Sequence, residues 1–403
     1  MKGKRILVAC DTTDYNLDKH KSRIKHMEGL GWMGDNSKIG FIHQGQLTID
    51  RDNKKSCYGW AGSYFFKRDD AIKNSRSYRY KTPIEQKESY KWIGPSIKSR
   101  DEVLNHSKHV LYVMDREADI FEVMSRLPKE KQVDVLIRIK QNRRLLNSEG
   151  IKVKLFSDLA SQASKGQISI SITGDHRKRK KRVAKLEIRY ATYSIKKSEH
   201  LRNENRYPSH IEMQAIEMKE ISSSVPKGEK PITWRLWTSE KVNDLEGAIE
   251  LIKCYESRWY IEESFRLLKT EGFDIESTEL ESGKSIRKLL LIAMEASVKI
   301  IKLKSVRDGN NDEEIDVYFS DQEIEFLKHT NSELEGTSQK LKNPYSTSKL
   351  SYASWIIARL GGWKGYASQR PPGTITYKKG LERFEIAFLG YKIAINRKNV
   401  CKR

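Results

Sequence analysis

Residues 254–269, Cys-Tyr-Glu-Ser-Arg-Trp-Tyr-Ile-Glu-Glu-Ser-Phe-Arg-Leu-Leu-Lys, place a phenol, a guanidinium, a carboxylate and an amine at Tyr255, Arg258, Glu262 and Lys269. The stretch has no Gly or Pro and follows helix formers from Leu245, so it predicts one helix. At about 100° per residue the four side chains fall within roughly 60° of one another. Arg266 and Trp259 lie close to the same stripe, while Ile261, Phe265 and Leu268 form an apolar stripe that can sit on a core. A phenol, a fork of donors and a point cation all suit phosphate oxygens. The same pattern also describes a solvated helix side with i,i+4 ion pairs, so the chemistry needs partners elsewhere in the chain.

Two aspartates are the candidates. Residues 6–10, Ile-Leu-Val-Ala-Cys, read as a buried strand, and Asp11 follows where that strand should end. Asp11 taken alone reads as a strand-terminating turn residue, and the rest of the chain must supply its partners. Residues 110–114, Val-Leu-Tyr-Val-Met, are a second hydrophobic strand running straight into Asp115. A carboxylate lifted out of the core at a strand end is well placed to hold a cation. Asp11, Asp115 and Glu262 brought together would repel one another, and bound cations would relieve that repulsion. Oxygen-only ligands favour Mg²⁺ or Mn²⁺. Two such ions, about 3.5–4 Å apart, can activate a water or a 3′-OH and stabilise the leaving oxygen of an in-line attack on phosphate. Asp11, Asp115 and Glu262 are therefore the expected catalytic metal ligands. Glu263 points about 100° away from Glu262 on a helix and is the weaker candidate.

The elements that would position these groups follow from periodicity. Residues 39–49 and 59–66 read as two further strands, giving a three-stranded antiparallel meander with the first. Residues 14–37 and 67–100 read as mostly polar loop. A helix is expected over 118–127, stopped by Pro128, and a fifth strand over 133–140. Three antiparallel strands, a crossover helix and two more strands describe an α/β, ribonuclease-H-like core with a mixed five-stranded sheet. In that arrangement the first and fourth strands are neighbours, which would bring Asp11 and Asp115 together. Between 143 and 232, alternating runs at Ile168/Ile170/Ile172, Leu186/Ile188/Tyr190 and Ile211/Met213/Ala215 indicate an inserted all-β subdomain. Its run of six cations at 177–182 is either solvated or a hairpin tip gripping a phosphate backbone. A strand at 232–238 returns to the helix bearing Glu262. Helices are expected over 282–304 and 352–360, then Gly361-Gly362, Arg370-Pro-Pro-Gly373 and a last helix. The domain reading is a catalytic core over 1–142 and 233–305, a β-rich insertion over 143–232, and a helical C-terminal region over 306–403.

Tyr-x2-Arg-x3-Glu-x6-Lys at 255–269 resembles the signature helix of the insertion-sequence-four family of DDE transposases, the group that includes the transposon-five transposase. Asp115-Arg-Glu-Ala-Asp119 resembles that family's second catalytic block, and Glu88-Ser-Tyr-Lys-Trp92 a short pattern its members carry. The resemblance implies a cut-and-paste DNA transposase acting as a dimer with Mg²⁺. It would nick the element's terminal repeats, free them through hairpins and join their 3′-OH groups to target DNA. It assigns Tyr255, Arg258 and Lys269 to phosphates near the cleaved end and matches Arg138 and Lys140 to basic positions near the active site; Arg266, close to the same helix stripe, is a further candidate DNA contact. Trp234 matches a tryptophan that receives a flipped base, with Trp259 as a second aromatic; Trp234 also reads as a core residue. Dimerisation is implied for the C-terminal region. The family also carries a DNA-binding domain before the first aspartate, whereas ten residues precede Asp11 here.

Bulk composition agrees. The formal charge is +22, from 76 Lys and Arg against 54 Asp and Glu in 403 residues, which favours a polyanionic partner such as double-stranded DNA. The apolar content of 37% suits a globular chain, and the longest apolar run cannot span a bilayer. Cysteines 10, 57, 254 and 401 form no CxxC pair and read as reduced thiols of a cytoplasmic, nucleoid-associated protein. The readings carried forward are a transposase, a truncated non-catalytic remnant inhibiting through mixed dimers, and a basic nuclease without strand transfer.

Overall fold

The computed structural model describes the chain except residues 34–37, 55, 68–81, 130–131, 173–180, 202, 270–271, 311–312, 367–368 and 401–403, and the side chains of 396–400. The strands are β1 (Arg5–Asn16), β2 (Gly31–Met33), β3 (Lys38–Asp50), β4 (Cys57–Phe66), β5 (His109–Met114), β6 (Val133–Arg138), β7 (Arg144–Asn147), β8 (Lys152–Lys154), β9 (Gly166–Ile172), β10 (Arg182–Lys196), β11 (His210–Glu220) and β12 (Thr233–Thr238). They form one sheet ordered β2-β3-β1-β5-β6-β12-β11-β10-β7-β8, with β4 also on β3 and β9 also on β10. The pairs β1–β5 and β5–β6 are parallel, and β1–β3 and β3–β4 antiparallel, so the core sheet is mixed. This topology is compatible with the expected ribonuclease-H-like arrangement.

Two of its features were not anticipated. Strands β11 and β10 continue the core sheet because β12 pairs with β6, Leu236 facing Arg138, and then with β11. The segment 143–232, expected to be all-β, also contains the helix α3 (Leu155–Ser161). The tip of the β9–β10 hairpin, with most of the basic run at 177–182, lies outside the described residues. Arg182 itself is tied to Glu220 at the start of β10.

Each face of the sheet carries its own core, because successive strand side chains alternate. On one face Leu7, Ala9, Leu111, Val113, Leu136 and Leu236 pack with Ile252, Ile261, Phe265, Leu268 and Ile286. These come from α4 (Leu245–Glu256), α5 (Trp259–Lys269) and α6 (Gly283–Ser305). On the other face Ile6, Val8, Cys10, Val110, Tyr112 and Met114 pack with Val103, Phe121, Val123 and Leu159. These belong to α1 (Gly94–Asn105), α2 (Phe121–Arg126) and α3. Residues 94–100, within the 67–100 stretch expected to be polar loop, instead begin α1, and where one helix is expected over 118–127 the chain makes a 3₁₀ turn at Arg116–Ala118 before α2. A third core joins the end of α6 to α7 (Asp321–Leu334), α8 (Leu350–Leu360) and α9 (Thr374–Val400) through residues such as Leu303, Leu327, Ile356 and Phe384. Among the described residues no helix is long and apolar enough to cross a membrane. Cys10, Cys57 and Cys254 are free and buried.

Candidate active site

Register brings the two aspartates together. Parallel pairing of β1 with β5 ends with Ala9 beside Val113; Asp11 and Asp115 each follow two residues later, close enough for the Asp115 charge to raise the Asp11 carboxyl. Both belong to the alternate row headed by Leu7, Ala9, Leu111 and Val113, which faces α5. Asp11 was expected at the end of its strand. In fact β1 runs on to Asn16 along β3, and only its pairing with β5 stops at Ala9. Asp11 lies directly across from Gly45 of β3. A Cβ on Gly45 would sit 2.8 Å from the Trp60 ring and 3.1 Å from the Phe265 ring. The missing side chain therefore lets α5 lie close to the strand carrying Asp11.

The predicted single helix over 254–269 is two helices. α4 ends at Glu256 and α5 begins at Trp259. Ser257 Oγ donates to the Lys253 carbonyl at 3.0 Å, and the Arg258 N–H reaches back only three residues, to Tyr255 O at 3.1 Å. Such back-bonding bends a helix. Tyr255 therefore sits on α4, Arg258 in the bend, and Glu262 and Lys269 on α5, rather than on one straight face. From the bend, Arg258 Nη1 donates to Asp11 Oδ2 at 2.6 Å and Nη2 donates to Glu262 Oε1. One guanidinium thus links carboxylates from β1 and α5.

Burial pushes the Asp11 carboxyl up to about 6, against an ordinary value of 3.8. The Arg258 charge and the Thr12 N–H, 2.8 Å away, oppose this, while the Asp115 and Glu262 charges add to it. Burial likewise raises Asp115, opposed by the Glu117 N–H at 2.7 Å and by the charges of Arg258 and Lys91. Lys91 is buried, with its amine 2.6 Å from Glu117 and 3.2 Å from Glu88. The Glu88-to-Trp92 stretch therefore packs beneath the Asp115 turn. This placement was not foreseen, although both strings stood out in the sequence.

Beside Arg258 lies an aromatic and cationic stack. The Trp234 and Tyr255 rings meet edge to face at 5.5 Å, and Tyr255 is buried. The Arg138 guanidinium is 5.1 Å from the Trp234 centroid and 5.9 Å from that of Tyr255, and Arg258 is 5.7 Å from Tyr255. Arg138 also donates to the Thr233 carbonyl at 2.8 Å. Burial lowers Arg138 to about 10, which leaves it charged at neutral pH, and burial raises Tyr255. Lys140 is exposed just beyond β6, with its N–H held at 2.8 Å by Asp119. Asp119 is only 1% exposed, and also accepts from the Gln141 N–H and the Arg143 guanidinium.

Three predicted residues stand apart from this group. Lys269, at the far end of α5, lies over the Tyr15 ring at 5.7 Å and 3.5 Å from Glu276. Trp259 is 60% exposed. Arg266 approaches Glu263 at 3.7 Å, and Glu263 is buried and bonded to Lys304. The pairing of Glu263 agrees with its expected direction away from Glu262.

Among the described residues, the His, Asp and Glu ligand atoms that already lie within 4.8 Å of one another belong to His109, Asp134 and Glu240. They sit at the opposite ends of β5 and β6 from Asp115. Arg51, 1% exposed, holds Glu240 through two bonds of 2.7 Å, while Asp134 takes His109 at 2.9 Å and Ser239 at 2.6 Å. That cluster is compensated by its own protein partners. At the other end, Asp11 and Glu262 share one guanidinium, Asp115 feels its charge without bonding it, and the Asp11 and Asp115 carboxyls are raised, a donor set that a divalent cation would relieve.

Carboxylates on two neighbouring strands and a covering helix suit ligation of a divalent cation. The sequence model of the family described as Transposase DDE domain matches residues 97–298. The chain belongs to this family, whose members use divalent metal ions and act in DNA transposition. The match contains Asp115 and the whole of α4 and α5 but begins after Asp11, so the placement of Asp11 rests on strand register.

Proposed function

We propose that this chain is a DNA transposase of the insertion-sequence-four type, with Asp11, Asp115 and Glu262 as its catalytic carboxylates and ligands of Mg²⁺ or Mn²⁺, as two ions. The observation that carries the reading is the link from Asp11 through Arg258 to Glu262, with the Asp115 charge acting on Asp11. When bound, divalent cations supply Lewis-acid stabilisation of charge on the reacting phosphate.

The protein groups have separate tasks. The three carboxylates would hold the cations, whose charge would offset the cost of ionising the buried Asp11 and Asp115. Arg258, which neutralises Asp11 and Glu262 before loading, is then available to a phosphate oxygen, with the Tyr255 hydroxyl beside it. Arg138 braces Trp234 and Tyr255 by stacking and extends the cationic surface toward Lys140. Trp234, half-buried, offers a platform for an extruded base, and the exposed Trp259 a second one. Lys269 and Arg266 lie further along α5, where they fit contacts to DNA beyond the cleaved phosphate.

The same reading divides the chain into a core at 1–142 and 233–305, a β-rich insertion at 143–232 and a C-terminal region at 306–403. The exposed Ile386, Leu389 and Ile393 on α9 favour self-association of that region. Double-stranded DNA, as terminal repeats and target, is the proposed partner, in keeping with the charge of +22.

The test is a Mn²⁺-dependent nicking assay on duplex DNA, followed by strand transfer of a pre-cleaved end. Wild type is expected to do both and Glu262→Gln neither. Nicking that survives this change would remove the assigned site, and nicking without strand transfer would make the chain a nuclease.

A further inference from the structure

Behind the catalytic helix lies an open cavity of about 660 Å³ that the proposed chemistry does not use. Its walls are α5, the end of α6, residues 361–363 and 369–373, and the first turn of α9 at Thr374, Ile375 and Thr376. Four lining residues are cations, Arg266, Lys304, Arg307 and Arg370, and one is a carboxylate, Glu263. Glu263 is engaged by Lys304 and approached by Arg266, and Asp308 lies 3.6 Å from Arg307, so two carboxylates face four cations. Arg307 fixes the wall by donating to the Pro372 carbonyl at 2.8 Å. The indole N–H of Trp363, also in the lining, is buried without a hydrogen-bond partner. The first-turn N–H groups of α9 have no acceptor four residues back within the helix and add positive potential at the same place.

We propose that this cavity binds a backbone phosphate of duplex DNA, in addition to the phosphate at Asp11, Asp115 and Glu262; the inference rests on the reading of the chain as a DNA-acting enzyme. Arg266 connects the two places: it lines the cavity and sits four residues, about 6 Å along the axis, from Glu262. A strand leaving the carboxylates along α5 would pass Arg266 and meet Arg307 and Arg370 next. The Arg370-Pro-Pro-Gly373 segment, which no carboxylate chemistry requires, thereby acquires a binding role. Its prolines restrict the loop, and the space beside Gly373 at the helix start is open, since a Cβ there would meet no atom within 4 Å.

The experiment is the salt dependence of binding to a duplex of arbitrary sequence by the full chain, comparing wild type with Arg370→Gln, Arg370→Lys and Glu262→Gln. Arg370 is exposed, and its replacement is expected to leave the melting temperature unchanged. Arg370→Gln should weaken binding severalfold at low salt and reduce the slope of log affinity against log salt by about 0.9, the loss of one phosphate contact. Arg370→Lys should keep most of the slope, and Glu262→Gln all of it. An unchanged slope in Arg370→Gln, whatever the affinity, would overturn the proposal. A reduced slope together with nicking that survives Glu262→Gln would leave the cavity standing and remove the catalytic assignment instead.

Discussion

Arg258 Nη1 lies 2.6 Å from Asp11 Oδ2, across 247 residues of sequence, and the same guanidinium bonds Glu262 one turn further along the chain. Arg258 and Asp11 are both only 16% exposed at the side chain, so this is a sheltered bridge. Replacing Arg258 by Gln leaves Asp11 and Glu262 facing each other with no cation. Arg258→Gln should cost about 3 kcal/mol of stability without metal. Mg²⁺ should restore much of it, so thermal melts should show a larger metal-induced gain in the variant than in wild type. Equal gains would mean that the guanidinium and the metal do not serve the same charges.

The raised Asp11 carboxyl predicts a pH dependence of stability. Its folded value, about 6, is above the ordinary 3.8, so the folded chain holds this proton more tightly than the unfolded chain does. Stability is therefore favoured below pH 4 and is lost as pH rises through about 6. Asp11→Asn should stabilise the metal-free protein at pH 7 by about 1–3 kcal/mol and have little effect at pH 4. Denaturant unfolding at the two values measures this. Destabilisation at pH 7 would show that the Arg258 bridge outweighs burial.

Gly45 permits the approach of α5 to β1. Gly45→Val would press on Trp60 and Phe265, and should cost about 1–3 kcal/mol as an overpacked contact. Because the displaced helix bears Glu262, nicking should fall further than stability does. Wild-type nicking in a folded Gly45→Val protein would show that the close approach is not needed.

Asp119 predicts a different loss. It is nearly inaccessible and holds the Lys140 and Gln141 N–H groups and the Arg143 side chain. Asp119→Ala should cost about 3 kcal/mol and loosen residues 140–143, seen as faster amide exchange there. Unchanged exchange would mean that the loop is held by other contacts.

The core around the carboxylates was legible because it rests on short signals: an apolar strand ending near Asp11, another running into Asp115, and an amphipathic stretch carrying Glu262. The misreadings have physical causes. The start of α1, residues 94–100, reads as loop because α1 buries a polar face, with Ser99 bonding Gln46 at 2.5 Å and the Tyr112 hydroxyl at 2.9 Å, so no apolar stripe marks it. The break at 257–258 is invisible to propensity, since neither Ser nor Arg stops a helix; side-chain back-bonding and the pull of Asp11 accompany it. The extension of β1 to Asn16 depends on its long partner β3, and the joining of β12 to β6 on pairing across about a hundred residues. Lys91 was named only within a pattern, because nothing local shows that it faces Glu117 beneath Asp115.

The most direct measurement compares Mn²⁺-dependent nicking by Asp11→Asn, Asp115→Asn and Glu262→Gln with that by Asp134→Asn, each confirmed folded by its melting transition. Loss of about a thousandfold or more is expected in each of the first three, with activity retained in Asp134→Asn, whose carboxylate serves His109 and Ser239. Activity retained in any of the first three, or lost only in Asp134→Asn, would contradict the assignment and move the metal to the other end of the sheet.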